Sequence, residues 1–165
     1  MGAVTLGSVE EYLATSYDPD CDYVDGELED RNVGNKKHAR DQTKLLLSLS
    51  QRYPALYIVV EQRIQVSTTR YRIPNICVML AEPEEDVFIQ PPFVCVEILS
   101  PEDRAGRIER KLSDNLKFGV RYIRVIDPRT REAFVHTPSG MYAVEDGMLR
   151  ASDPDIAVPL AEVFA

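Results

Sequence analysis

Several features that often identify a protein are missing here. No apolar run in the 165 residues approaches the ~20 residues that a membrane helix needs. The stretch Met1 to Glu11 has no cationic segment followed by an apolar one, so a secretory leader is not expected. Cys21, Cys77 and Cys95 are odd in number and far apart in sequence, which fits neither a disulfide framework nor a zinc knuckle. Buried free thiols in a reducing cytoplasm are the expectation. Two histidines, His38 and His136, are too few for a histidine-rich metal site. The chain also lacks a phosphate-binding glycine loop, a Gly-x-Ser-x-Gly elbow, a His-Glu-x-x-His pair, internal repeats, low-complexity tracts and linkers.

The length suits one domain over residues 1–165, able to bury roughly 70% of its unfolded surface without staples. Lys and Arg number 19 against 27 Asp and Glu, a net charge of -8, which excludes a basic nucleic-acid coat and argues against docking on an anionic membrane. The charge is unevenly spread. Residues 104–124 hold seven basic side chains against two acidic, and residues 31–52 hold six against one, a local +5 in each case. The rest of the chain therefore carries -18, the difference between -8 and +10. Two basic segments on an acidic body could hold phosphates; solvated helix faces are the plain alternative.

Periodicity predicts a mixed α/β fold. Ser8-Val9-Glu10-Glu11 is a capping box opening a short helix, with Val9, Tyr12 and Leu13 on one face and Pro19 ending it. Asp22 to Leu28 reads as a hairpin turning at Asp25-Gly26. A polar loop over residues 30–35 leads into a helix over residues 36–53, stopped by Pro54. Strands are expected over residues 57–66, 72–80 and 93–99, the first two joined at Ser67-Thr68-Thr69. The near-continuous apolar runs Ile76–Leu80 and Phe93–Leu99 suggest a sheet covered on both faces. A second helix over residues 103–118, closed by Gly119, precedes strands over 122–126, 133–137 and 141–144.

Polar residues inside these strands are the chemical candidates. Alternation places Asn75, Cys77 and Met79 on one face of their strand, and Phe93, Cys95, Glu97 and Leu99 on one face of theirs. Glu97 is a carboxylate in an apolar strand, so it requires a cation, a metal or a proton. A salt bridge or a strand end reaching solvent would satisfy it equally. On the following helix Arg104, Arg107 and Lys111 share a face by their three- and four-residue spacing. His38, at the start of the first basic helix, is expected at the surface. Cys95, although near a carboxylate, reads as a small core residue.

The order of motifs then becomes informative. Tyr23-Val24-Asp25-Gly26-Glu27-Leu28, His38 opening a helix, Arg72-Ile73-Pro74-Asn75-Ile76, Val96-Glu97-Ile98-Leu99-Ser100-Pro101, Arg110-Lys111-Leu112, Gly119-Val120 and Ile126-Asp127-Pro128 together resemble the Uma-type (DUF820-like) restriction endonuclease family. The resemblance runs from about Val9 to Phe134. It implies a restriction-endonuclease-like fold of the PD-(D/E)xK type, a mixed β-sheet flanked by helices, with two acidic positions on neighbouring strands and a lysine close by. Asn75 stands at the first acidic position, after Pro74; Glu97 matches the second; Leu99 stands where a lysine is usual, and Lys111 matches the helical lysine of the family.

The implied activity is hydrolysis of DNA phosphodiester bonds, with Glu97 and Lys111 catalytic and Asn75 and Glu97 holding Mg2+ or Mn2+. Two carboxylates bind such hard cations through oxygen, the metal activates water, and a lysine stabilises the transition state. Lys36, His38, Arg104 and Arg107 are the candidate nucleic-acid contacts. Asn75 supplies a carbonyl oxygen without charge, which should lower metal affinity; Glu61 is the nearest other acid. Ile123 and Arg124 also stand where the family usually has aromatics. The alternatives are a relative that binds nucleic acid or a protein without cutting, and an enzyme on the same fold with another substrate. Oligomeric state stays open, with a homodimer suggested by analogy to enzymes that cut both strands.

Overall fold

The computed structural model describes residues 7–32 and 34–165. The chain runs through α1 (Val9–Leu13), β1 (Asp22–Val24), β2 (Glu27–Glu29), α2 (Lys36–Arg52), β3 (Tyr57–Val60), β4 (Ile64–Ser67), β5 (Arg70–Arg72), β6 (Ile76–Met79), β7 (Val94–Ile98), α3 (Ala105–Phe118), β8 (Tyr122–Asp127), β9 (Glu132–Thr137), β10 (Gly140–Ala143), β11 (Met148–Ala151), β12 (Ile156–Pro159) and α4 (Leu160–Val163).

A six-stranded sheet, in the order β10-β9-β8-β7-β6-β3, forms the body. Only β7 and β8 run parallel within it, and α3 is the crossover that a parallel pair requires. A four-stranded sheet, β2-β1-β5-β4, lies beside it, and β11 pairs with β12. The fold is the mixed α/β sheet flanked by helices that the sequence pattern implies.

Local chemistry explains the joints. Ser8 caps α1 by accepting from Glu11 N–H, and Asn35 caps α2 by accepting from His38 N–H. Asp25 and Gly26 carry the positive φ angles of 51° and 94° that turn the β1–β2 hairpin. Gly119, at φ 109°, ends α3 in the left-handed region where a side chain would be strained.

The two long strand runs are not continuous. Residues 57–66 break into β3 and β4, and residues 72–80 into β5 and β6. Glu61 bends the first at φ 54°, and Pro74, without an N–H to donate, interrupts the second. At this shared corner the chain leaves one sheet for the other, and Glu61 N–H bonds Asn75 C=O at 3.2 Å. The corner holds the polar site described below.

Side-chain alternation sorts the core. Ile76, Val78, Val94, Val96 and Ile98 pack with Leu45 and Leu49 of α2, while Cys77, Met79 and Cys95 pack with Leu112 of α3. Phe93 joins the α2 side, because it precedes β7 and escapes the strand's alternation. The segment after Val144, in which periodicity shows no element, forms β11, β12 and α4 and closes the α2 side through Val158, Val163 and Phe164. Helix α1 ends at Leu13, well before Pro19; Tyr12 is buried but Leu13 is exposed. Among the described residues, no helix is long and apolar enough to cross a membrane. All three cysteines are free and buried.

Candidate active site

Every residue of β7 is buried, and Glu97, only 3% exposed, is the one charged group in it. Following Cys95 by two, it points to the α3 side and meets Lys111, whose Nζ lies 3.2 Å from Glu97 Oε2. Lys111 also donates to Ile73 C=O at 2.8 Å and stands 3.9 Å from Asp22. Among the described residues Glu97 Oε1, which is buried, has no hydrogen-bond partner. Burial, only partly offset by Lys111 and Arg31, pushes the Glu97 carboxyl up to about 6.

Asn75 lies one step before β6. Extending the Ile76↔Val96 pairing by that step sets it opposite Glu97. Its Oδ1 accepts from Ile98 N–H at 2.8 Å. Because a backbone N–H can only donate, this bond orients the amide: Nδ2 is turned to Glu61 Oε1, at 3.2 Å, and to His38 Nε2, at 3.3 Å. His38 Nε2 then acts as acceptor, consistent with burial holding this imidazole's pKa below its ordinary value. A Cβ on Gly34 would stand 2.5 Å from His38 Nδ1, so glycine there lets the ring pack inward.

Glu61 is fully engaged. It accepts from Asn75 and from Gln42 Nε2 on one oxygen and pairs with Arg31 Nη1 through the other. Burial opposes the Glu61 charge, but Arg31 and the two amides outweigh it and hold the carboxyl below its ordinary pKa. Arg31 comes from the segment between β2 and α2. Asn32 on that segment donates to Asp103, and Arg107 of α3 donates to Asp30 C=O, so the segment is tied down across the cleft.

Two cavities meet here. One of about 50 Å³ is lined by Glu97, Lys111, Asp22, Asp103 and Arg107 among others. The other, of about 400 Å³, is lined by Glu61, Gln42, Thr43, Leu46 and Val60 among others. Arg31, Asn32, His38 and Asn75 line both and form the divide between them.

Beneath the lysine lies an ion network. Arg72, 1% exposed, contacts Asp22 at 3.3 Å, Glu29 at 2.9 Å and Asp114 at 2.7 Å. Asp22 Oδ1 accepts from Ile73 N–H, so the residue whose carbonyl holds Lys111 is itself anchored. Asp22 and Arg72 carry the same signal as Glu97, a charge inside a short buried strand. Arg31 lies in a loop and carries no such signal.

The structure thus brings Glu97, Lys111, Asn75 and His38 together at one corner. His38 is buried, not at the surface as expected, because Asn35 turns the first helical turn inward and Gly34 makes room. Lys36, Arg104 and Arg107 are exposed; only Arg107 lines the small cavity. Arg104 and Arg107 are exposed whereas Lys111 is buried, 8% exposed, although Arg107 and Lys111 line the same small cavity. Nor is the local +10 all open to phosphate. Arg31, Arg40 and Arg52 pair with Glu61, Asp41 and Glu162, and Arg124 is buried against Arg150 C=O.

The donors at this corner differ from those that the divalent cation implied by the resemblance requires. Glu97 presents one free buried oxygen, which a cation would relieve. Asn75 presents its amide nitrogen to Glu61 and commits its oxygen to Ile98, and three N–H donors wrap Glu61. Among the described residues, no group of three His, Cys, Asp or Glu side chains is placed to hold a metal. Asn75 and Glu97, as arranged, do not fit the two-ligand site.

A mixed sheet flanked by helices, with a helical crossover between its parallel strands, is a nuclease-like α/β fold. The fold is similar to that of a solved structure described as a "putative nuclease belonging to DUF820" from Anabaena variabilis, with a TM-score of 0.80 at 18% identity over 96% of this chain and 97% of that one. The chain belongs to the Uma2 family, described as "Putative restriction endonuclease", whose sequence model matches residues 9–159. No curated protein matches it.

Proposed function

We propose that the protein acts on nucleic acid in the Glu97–Lys111 cleft, hydrolysing phosphodiester bonds, with duplex DNA as substrate and Lys36, Arg104 and Arg107 steering the backbone. The observation that carries this reading is the meeting of Glu97 and Lys111 at 3.2 Å, from separate elements, in the wall of a cleft, with one glutamate oxygen buried and unpaired among the described residues. A glutamate held near 6 can accept a proton at neutral pH, the condition for a general base. In this reading Glu97 takes a proton from water as the water oxygen bonds phosphorus and the P–O ester bond breaks, the departing oxygen taking a proton from solvent to leave as an alcohol. Lys111, fixed by Ile73 C=O, offers its N–H to the charge that develops on the phosphate. Pairing of two copies, which would bring two such sites to the two strands, belongs to the same proposal.

One observation favours a second reading, binding without cleavage: the nitrogen of Asn75 faces Glu61 where the family carries an acid. Incubating duplex DNA with the protein in Mg2+, Mn2+ or EDTA separates the two. Cleavage lost in Glu97→Ala and Lys111→Met supports hydrolysis at this site. Retention of DNA without cleavage under every condition selects the second reading, and cleavage that survives Glu97→Ala removes Glu97 from the reaction.

A further inference from the structure

We propose that the Arg31 guanidinium takes the part of the metal ion that the family resemblance implies, neutralising Glu61 beside the Lys111–Glu97 pair and receiving the phosphate of a nucleic-acid strand directly. This rests on the proposed phosphodiester site and names the group that stands where the resemblance implies a cation.

Four observations converge on Arg31. It pairs with Glu61, the acid nearest to the substituted position; the arginine side chain is 16% exposed, while Glu61 keeps one side to solvent at 39%. It lines the small cavity together with Glu97 and Lys111, and the larger one together with Glu61, so it reaches both sides of the divide. The charges of Glu61, Asp22 and Glu97 all favour its protonated form against the cost of burial. Its backbone segment is fastened to α3 through Asn32–Asp103 and Arg107–Asp30, which holds the guanidinium at the corner.

Asn75 makes the exchange self-consistent. An aspartate at that position would set a third carboxylate beside Glu61 and Glu97, one more negative charge than Arg31 and Lys111 balance. The amide removes that charge and donates to Glu61. Arg31 on Glu61 and Lys111 on Glu97 then suffice where a divalent ion would otherwise be required. A guanidinium also has five N–H donors in a planar fork that matches phosphate oxygens; among the described residues one of them is committed to Glu61.

Two titrations test this. In calorimetry with Mn2+, the native protein and Arg31→Lys give no binding heat, Asn75→Asp binds weakly, and Arg31→Gln/Asn75→Asp binds about tenfold tighter than Asn75→Asp. Native protein that binds Mn2+ as tightly as the double variant overturns the inference. So does Asn75→Asp binding that is indifferent to Arg31. In EDTA, affinity for a short DNA falls about tenfold in Arg31→Gln and is largely kept in Arg31→Lys; equal affinity in native and Arg31→Gln protein also overturns it. Thermal unfolding shows whether each variant is folded, and Arg31→Met serves in place of a glutamine variant that is not. If the native protein binds no DNA at all, the phosphodiester reading fails, while the Mn2+ comparison still decides whether Arg31 stands at the cation's position.

Discussion

Asn75 donates its amide N–H to Glu61 at 3.2 Å while its oxygen accepts from Ile98 N–H at 2.8 Å. Each half of the amide is thereby committed, and the position to which the family resemblance assigns an acid becomes a neutral clasp joining the ends of β3, β6 and β7. Because Glu61 N–H also bonds Asn75 C=O, the same two residues join the strands by main chain and side chain.

Asn75→Asp should therefore destabilise the metal-free protein. The new carboxylate would lose the bond to Glu61 and face it at close range, at a cost of about 1–3 kcal/mol. Added Mn2+ should restore part of that loss. Thermal unfolding with and without Mn2+ measures both effects, and an unchanged midpoint in EDTA would contradict the role given to the amide.

Glu97→Gln should change the pH dependence of stability. The folded carboxyl titrates near 6, above its ordinary value, so the folded state binds this proton more tightly than the unfolded state does. Stability from this group is full below about pH 4.5 and is lost as pH rises through 6. Glutamine, which cannot ionise, should gain up to about 2 kcal/mol relative to native protein at pH 8, less what Lys111 loses with its partner, and gain little at pH 4. Denaturant unfolding at both pH values checks the sign.

Arg72→Met should be among the most damaging single changes. It leaves Asp22, Asp114 and Glu29 facing one another without the buried guanidinium that balances them, a loss of about 3–5 kcal/mol. Lys111 would lose its setting too, since Asp22 anchors Ile73. An unfolding free energy within error of native would show that the network contributes nothing.

Lys36→Ala and Arg104→Ala should each reduce the slope of log affinity against log salt by about 1, with little effect on unfolding, because both are exposed. Arg107→Ala should reduce the slope similarly and also loosen the segment it ties through Asp30 C=O. His38→Ala should behave oppositely, lowering stability through the buried contact with Asn75. Filter binding across a salt series, beside thermal melts, separates the two behaviours.

Much of the fold follows from short-range pattern. The capping residues Ser8 and Asn35, the Asp25-Gly26 turn, the stop at Gly119 and the alternation that sets Cys77 and Cys95 against α3 all depend on neighbours a few residues away. The carboxylate in β7 was legible for the same reason, as a charge where burial forbids one unpaired. Other features depend on partners far along the chain. The amide of Asn75 is oriented by a strand 23 residues later, and Arg72 is caged by Asp22 and Asp114, 50 and 42 residues distant. The breaks at Glu61 and Pro74 matter because both fall at one corner between two sheets. Sequence by itself determined which residues had to be inside and which chemistry was present. Tertiary structure decided which donor met which acceptor, and so turned a substituted acid, a loop arginine and an inward-facing histidine into one site.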